Sequence, residues 1–153
     1  MRPDRIIVGE VRGGEAIEML QAMNTGHEGS LSTIHSNSPR EALTRLETMV
    51  MMAGYELKSP VIRENIGSAL DVVVQLNRFT DGGRKTTAIE EIVDYNKEKD
   101  KFNTIPLFRF NQTGIKEDGT IKGEFVATGR KPTFFKQMKK RGIDISLDIF
   151  KNE

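Results

Sequence analysis

The chain contains no cysteine and no tryptophan, and only two tyrosines and two histidines among its 153 residues. Without cysteine there are no disulfides and no thiolate metal sites, a composition that suits a reducing compartment. No run reaches the roughly 18 apolar residues that a membrane-spanning helix needs. The first ten residues interrupt a short apolar run with charges, the wrong order for a signal peptide. An excess of one charge is missing too, since 23 basic residues stand against 22 acidic ones for a net of +1. No global field draws such a chain to nucleic acid or anionic lipid, so partners have to be read from local features. What remains is a cytoplasmic chain forming one folded unit or part of one, with 37% hydrophobic residues, enough for a real core.

The apolar residues that are present change their period along the chain. Ile6-Ile7-Val8 is short and β-branched, follows Pro3, and reads as a buried strand of a parallel or mixed sheet with Glu10 at its carboxyl end. After Gly13-Gly14, the residues Ala16, Ile17, Met19, Leu20 and Met23 recur at helical spacing, with Glu15 and Glu18 near the positive end. A short strand is expected over 30–34. Ser38-Pro39-Arg40-Glu41 is a capping box with proline at the first helical position, opening a helix to about Ala53, and Ser59-Pro60 repeats the start signal for a third helix. Beyond Leu70 the pattern turns to strands: Val72–Leu76, the turn Asp81-Gly82-Gly83, then Thr86–Tyr95. Strand-like runs over Ile105–Phe110 and Gly123–Ala127 flank a loop with Gly114, Asp118 and Gly119. Lys97–Lys101 alternates in sign and reads as a solvated loop. Phe134, Phe135 and Met138 lie among four basic residues of a short amphipathic helix, followed by an apolar tail expected to pack. The fold class is therefore α/β, a parallel or mixed core extended by an antiparallel meander. The expected division is 1–78 for the core and 79–153 for the extension.

Three groups of residues could carry chemistry. A carboxylate just beyond a buried strand is how many nucleotide hydrolases hold an acid against a water and a magnesium-bound phosphate, and Glu10 meets that description. It would equally serve as a surface turn residue. Gly26-His27-Glu28-Gly29 sets a histidine between glycines, where backbone can approach a ligand closely, and His35 follows nearby. Both histidines could instead donate to loop carbonyls. As metal ligands, His27, Glu28 and His35 match no standard zinc spacing and lack a further donor, so no metal site is expected. Arg2, Arg5 and Arg12 surround Glu10 in sequence and could grip phosphate or pair with the carboxylate.

Taken together, Arg2-Pro3-Asp4-Arg5-Ile6-Ile7-Val8-Gly9-Glu10-Val11-Arg12, followed by Thr25-Gly26-His27-Glu28-Gly29-Ser30 and Thr33-Ile34-His35, resembles the type II/type IV secretion ATPase family, nearest to the ATPases of tight-adherence (Flp-type) pili. The first block is similar to that family's Walker B motif and the second to its histidine box. The resemblance implies a partial RecA-like P-loop NTPase motor domain working as a hexameric ring with ATP and Mg2+. It implies a cytoplasmic position, peripheral at the inner face of the membrane, beside an inner-membrane platform protein of a pilus or secretion system; nucleic acid is not an expected partner. Glu10 then corresponds to the glutamate that activates the hydrolytic water and His27 to the residue that senses the γ-phosphate. Arg12 and His35 are similar to residues tying this edge to its neighbours, and Gly9, Gly26 and His35 are the positions expected against the nucleotide.

The chain also departs from the family. No Gly-x-x-x-x-Gly-Lys-Ser/Thr occurs, nor any Gly-Lys pair, so the phosphate cradle is missing from this sequence, as is the family's acidic box. Such a chain is expected to hydrolyse ATP poorly by itself. The alternative is a non-catalytic interaction or regulatory module that keeps the ATPase scaffold and assembles through exposed sheet edges and the Phe134-Phe135 helix.

Overall fold

The structure, a computed structural model, describes residues 3–27 and 29–152. They form two compact units: residues through Asp71 with the hairpin tip Asp94–Asn103, and Val72–Val93 with the residues from Thr104 onward.

In the first unit, β1 (Ile7–Val8) leads through α1 (Ala16–Asn24) to β2 (Leu31–Ser32), which returns parallel to β1 with Ile7 opposite Leu31 and Val8 opposite Ser32. Helices α2 (Pro39–Met52) and α3 (Ser59–Ala69) follow, and the three helices pack on one another. Their shared core takes the periodic residues read from the sequence: Ala16, Ile17, Met19 and Leu20 from α1, Leu43, Leu46 and Val50 from α2, and Ile62 and Ile66 from α3. Val11, just past β1, is buried with them. Only half of the α2 capping box closes as expected. The Ser38 hydroxyl accepts from the Glu41 N–H, but the Glu41 carboxylate accepts from the Asn37 backbone and side-chain amides instead of reaching back to Ser38. The second start signal is shifted by one residue: Lys58 occupies the cap, and Ser59 already lies inside the first turn of α3, where it caps nothing.

The strands of the meander are β3 (Val72–Arg78), β4 (Arg84–Asn96), β5 (Lys101–Ile115) and β6 (Ile121–Ala127), hydrogen-bonded in the order β3-β4-β5-β6. β5 runs well past the apolar stretch that announces it in the sequence. Beyond that stretch Asn111, Gln112 and Thr113 are polar and exposed, and pairing with β6 rather than burial holds them extended. Gly114, expected in the loop, lies within β5 at a bulge opposite Lys122. In the second unit Asp81 fastens two turns, accepting from the Gly83 N–H at 2.8 Å and from the Ile121 N–H at 2.8 Å. These bonds, that from Ile121 foremost, hold its carboxyl below the usual range. Glu91, 2% exposed, is satisfied by the backbone N–H and hydroxyl of Thr133. Past α4 (Phe135–Lys140), a 3-10 turn over Leu147–Phe150 buries Phe150 against Phe108, ring centroids 5.6 Å apart. The tail is thus anchored at one residue rather than packed along its length, and Ile143 and Ile149 stay about half exposed.

Candidate functional site

The two blocks singled out in the sequence meet along the parallel strands. The spacing between partners is nearly constant. The Ile6 N–H donates to the Ser30 hydroxyl at 2.9 Å, Ile7 pairs with Leu31, and the Thr33 hydroxyl donates to the Gly9 carbonyl at 2.6 Å, each pair 24 positions apart. At one end His27 Nδ1 lies 2.8 Å from the Pro3 carbonyl, again 24 apart, which makes Nδ1 the protonated nitrogen. At the other end the Val11 N–H donates to the Thr33 carbonyl at 2.9 Å, and His35 reaches Glu10. Small hydroxyl residues make this possible: Ser30 also donates to the His27 carbonyl at 2.7 Å, so one side chain closes the histidine loop and fastens it to β1.

Glu10 is the electrostatic centre. Its Oε2 accepts from Arg12 Nε at 2.7 Å and lies 2.6 Å from Arg12 Nη2. His35 Nε2 comes within 2.8 Å of Oε1. No hydrogen bond of good geometry closes there, and Oε1 is sealed from solvent. The Arg12 hydrogen bond holds the Glu10 carboxyl below the ordinary range against an opposing desolvation effect, helped by the charges of Arg12, His35 and Arg45. Glu15 steadies the turn from behind, accepting from the Arg12 N–H at 2.8 Å and the Gly13 N–H at 3.1 Å.

A carboxyl whose folded pKa is depressed contributes stability above its unfolded pKa and loses it as pH falls through the folded value. Carbon-detected NMR titration of Glu10 is accordingly expected to give a midpoint below the ordinary 4.5. Arg12→Ala should move that midpoint upward. An unmoved midpoint would mean that the Arg12 bond does not persist in solution.

The structure therefore joins Glu10, Arg12 and His35 and seats His27 at the far end of the same ladder, against Pro3. Gly9 and Gly26 have open space where a Cβ would stand, and Gly26 needs its glycine for φ +91°. Gly29 (φ +80°) lies under the Arg5 side chain, whose Nε would be 2.9 Å from an added Cβ. Arg5 thus covers the histidine loop instead of facing Glu10. Arg2 and Glu28 lie outside the described residues, and among the described residues no group of acids and histidines is placed to hold a metal ion. Sequence reasoning missed Arg45. Nothing marks it there except its charge on the polar face of α2. Ser30 and Thr33 stand within the two blocks but have no role of their own in that reading, although a hydroxyl residue at each end of the short run Leu31-Ser32 is the available signal.

Parallel strands joined through a helix, with a glutamate at the end of one and a histidine loop on the next, fit the α/β class of secretion ATPases. Residues 1–119 match the family described as Type II/IV secretion system protein, and the chain belongs to that family. It is 49% identical over 84 residues to the conjugal transfer protein TrbB of Rhizobium radiobacter, covering 55% of this chain and 25% of that one. It is 37% identical over 92 residues to the type IV secretion system protein PtlH of Bordetella pertussis, covering 59% and 27%. Among solved structures, the VirB11 ATPase of the Brucella suis type IV secretion system, in complex with sulphate, superposes with a TM-score of 0.55 and 34% identity, covering 58% of this chain and 28% of that one. The chain thus spans about a quarter of the length of these relatives. Among the described residues no helix is long and apolar enough to cross a membrane.

Proposed function

We propose that the chain is the water-activating edge of an ATP-driven motor for pilus assembly or protein secretion, and that residues outside this sequence supply the phosphate-binding loop. The observation that carries this reading is Glu10 Oε1, a carboxylate oxygen withdrawn from solvent and without a hydrogen bond, beside a partner set that keeps it charged. Such an oxygen is poised to accept a proton from a water. ATP, when bound, supplies the phosphoanhydride bond to be broken. This chain's part is to hold the base ionised through Arg12, to orient it through His35, and to present His27 from the laced loop toward the γ-phosphate, with Gly9 and Gly26 leaving the backbone open to the nucleotide. Mg2+ fits less well, because this sequence offers no phosphate-loop hydroxyl to hold it, and no step is assigned to it. The face of β1 and β2 agrees with an incomplete cradle. Ile7 and Leu31 stand opposite each other at 77% and 63% exposure, whereas parallel sheets are ordinarily covered on both faces. The same reading takes from the family a ring of six subunits and an inner-membrane platform protein as partner.

A non-catalytic module is the second reading, favoured by one observation: both oxygens of Glu10 already lie within 2.8 Å of a nitrogen of Arg12 or His35. ATP hydrolysis by this chain alone, and by the chain joined to a phosphate-loop segment of the same family, separates the two. Turnover only in the joined protein is the expected result. Turnover in neither sinks the motor reading and leaves the module.

A further inference from the structure

The parallel register of β1 and β2 breaks at Glu10. Leu31 pairs with Ile7 and donates its N–H to the Ile6 carbonyl at 3.0 Å, and Ser32 pairs with Val8. In a parallel ladder, alternate residues of one strand bond to the residues just before and just after their partners in the other. Continued, this register would pair Thr33 with Gly9 and give the Thr33 carbonyl to the Glu10 N–H. The Thr33 carbonyl goes to the Val11 N–H instead, at 2.9 Å. The β1 side thus carries one residue more than the β2 side over this step, a bulge whose extra residue is Glu10.

Thr33 makes both contacts that bracket the bulge. Its hydroxyl donates to the Gly9 carbonyl at 2.6 Å, and its own carbonyl accepts from Val11, whose side chain is buried in the core. One residue therefore fixes the backbone on either side of Glu10, and the core pins the far side. A regular rung would take up the Glu10 N–H and leave its side chain in the alternation of the strand; the hydroxyl bridge departs from that at this one residue. Bulges bend a strand and re-aim a side chain. The side chain aimed here is the carboxylate that stands between Arg12, 2.7 Å from Oε2, and His35, 2.8 Å from Oε1. A donor is required at position 33 for this, and the β-branch of threonine narrows the directions in which it points.

We propose that Thr33 is a positioning residue for Glu10: its hydroxyl on the Gly9 carbonyl and its carbonyl on the Val11 N–H hold Glu10 out of the ladder, with the carboxylate turned to the water it activates. Thr33 acts here on the residue that the motor reading names as the base, so the proposal rests on that reading and adds what aims the base. Removing one exposed hydroxyl from the neighbouring strand then loosens a carboxylate to which that hydroxyl makes no hydrogen bond.

The test has two arms. In the chain alone, carbon-detected NMR follows the Glu10 and Glu15 carboxyls in the parent, in Thr33→Val and in Thr33→Ser. Glu15 is the internal reference, because it accepts from the Arg12 and Gly13 N–H groups beyond the bulge, and these, that of Arg12 foremost, hold its carboxyl below the ordinary range. Thr33→Val keeps the branched shape and loses the donor, so the Glu10 midpoint should rise while that of Glu15 stays; Thr33→Ser should restore the parent value. In the motor joined to a phosphate-loop segment, Thr33→Val should lower kcat about ten- to a hundredfold with KM within about twofold, and Thr33→Ser should stay within about threefold of the parent. Equal losses in the two variants, an unmoved Glu10 midpoint, or Glu10 and Glu15 midpoints that move together would overturn the proposal. A fully active Thr33→Val motor beside an inactive Glu10→Gln one overturns the proposal alone, whereas a Glu10→Gln motor as active as the parent overturns it together with the motor reading.

Discussion

Glu10→Gln, introduced into a motor that contains both this chain and a phosphate-binding loop, is expected to lower ATP turnover by about 10²- to 10⁴-fold, the span of effect associated with a positioned general base. The substitution keeps the size of the side chain and one oxygen, so the ladder and the fold should be undisturbed. What disappears is the charge that Arg12 stabilises and the basic Oε1 that faces no donor of good geometry. The loss should therefore appear in kcat with KM almost unchanged, the signature of a contact made in the transition state rather than in binding. His35→Ala tests positioning and is expected to cost less, since Arg12 would still hold Oε2. A Glu10→Gln enzyme within about twofold of the parent would rule Glu10 out as the base, because even the weak end of general-base catalysis exceeds that factor.

Arg63→Ala is expected to destabilise the first unit about as much as a large truncation in its core. Arg63 extends from α3 to donate through Nε to Glu47 of α2 at 2.9 Å and through Nη1 to Asp100 in the hairpin tip, where the Tyr95 hydroxyl converges on the same carboxylate oxygen. Glu47 and then Asp100 push the guanidinium pKa further above its ordinary value. Glu47 is only 8% exposed, so without Arg63 its charge is left in a poor environment with no counterion. Removing one partner of a buried pair costs about 3–5 kcal/mol, and the quarter-exposed Arg63 reduces that to about 2–3 here. A fall in melting temperature of about 6–10 °C follows for a chain of this size. Arg63→Lys should recover little, since a single ammonium cannot span two acceptors held at the fork of a guanidinium. Adding Glu47→Gln to Arg63→Ala should return part of the loss, and a double-mutant cycle with no coupling between the two positions would refute the argument.

Much of the first unit was legible because its helices bury regular stripes. Ala16, Leu20, Leu46, Val50, Ile62 and Ile66 are where the 3.6 period puts them, and Glu10 stands past its strand as expected, but that strand is not the buried one its β-branched run announces, for Ile7 is 77% exposed. Partners lying far apart in sequence were not legible. Arg45 approaches Glu10 across α2, and Arg63 finds Asp100 across 37 positions; no local pattern encodes either. The far end of β5 stayed hidden for a related reason, since Asn111, Gln112 and Thr113 are extended by pairing with β6 rather than by any alternation of their own. Arg5 failed as a Glu10 neighbour because proximity in sequence says nothing of the direction in which a side chain leaves a strand, and Gly29 offered it a bare surface to lie on.

The constant spacing of the ladder has a kinetic meaning. Bringing Pro3 beside His27, or Gly9 beside Thr33, closes the same loop through α1, and the entropy of closing a loop depends only weakly on which of its rungs forms first. Whichever forms bears nearly the whole of that cost, and the next ones add contacts almost without further loss. The rungs should zip and unzip as a set, so that the histidine loop is not a flap that frays independently of the glutamate. A population of molecules would then contain two kinds, those with every part of the site in register and those with none, and a perturbation at Pro3 would be registered at His35 as a change in how many sites exist rather than in how well each is built.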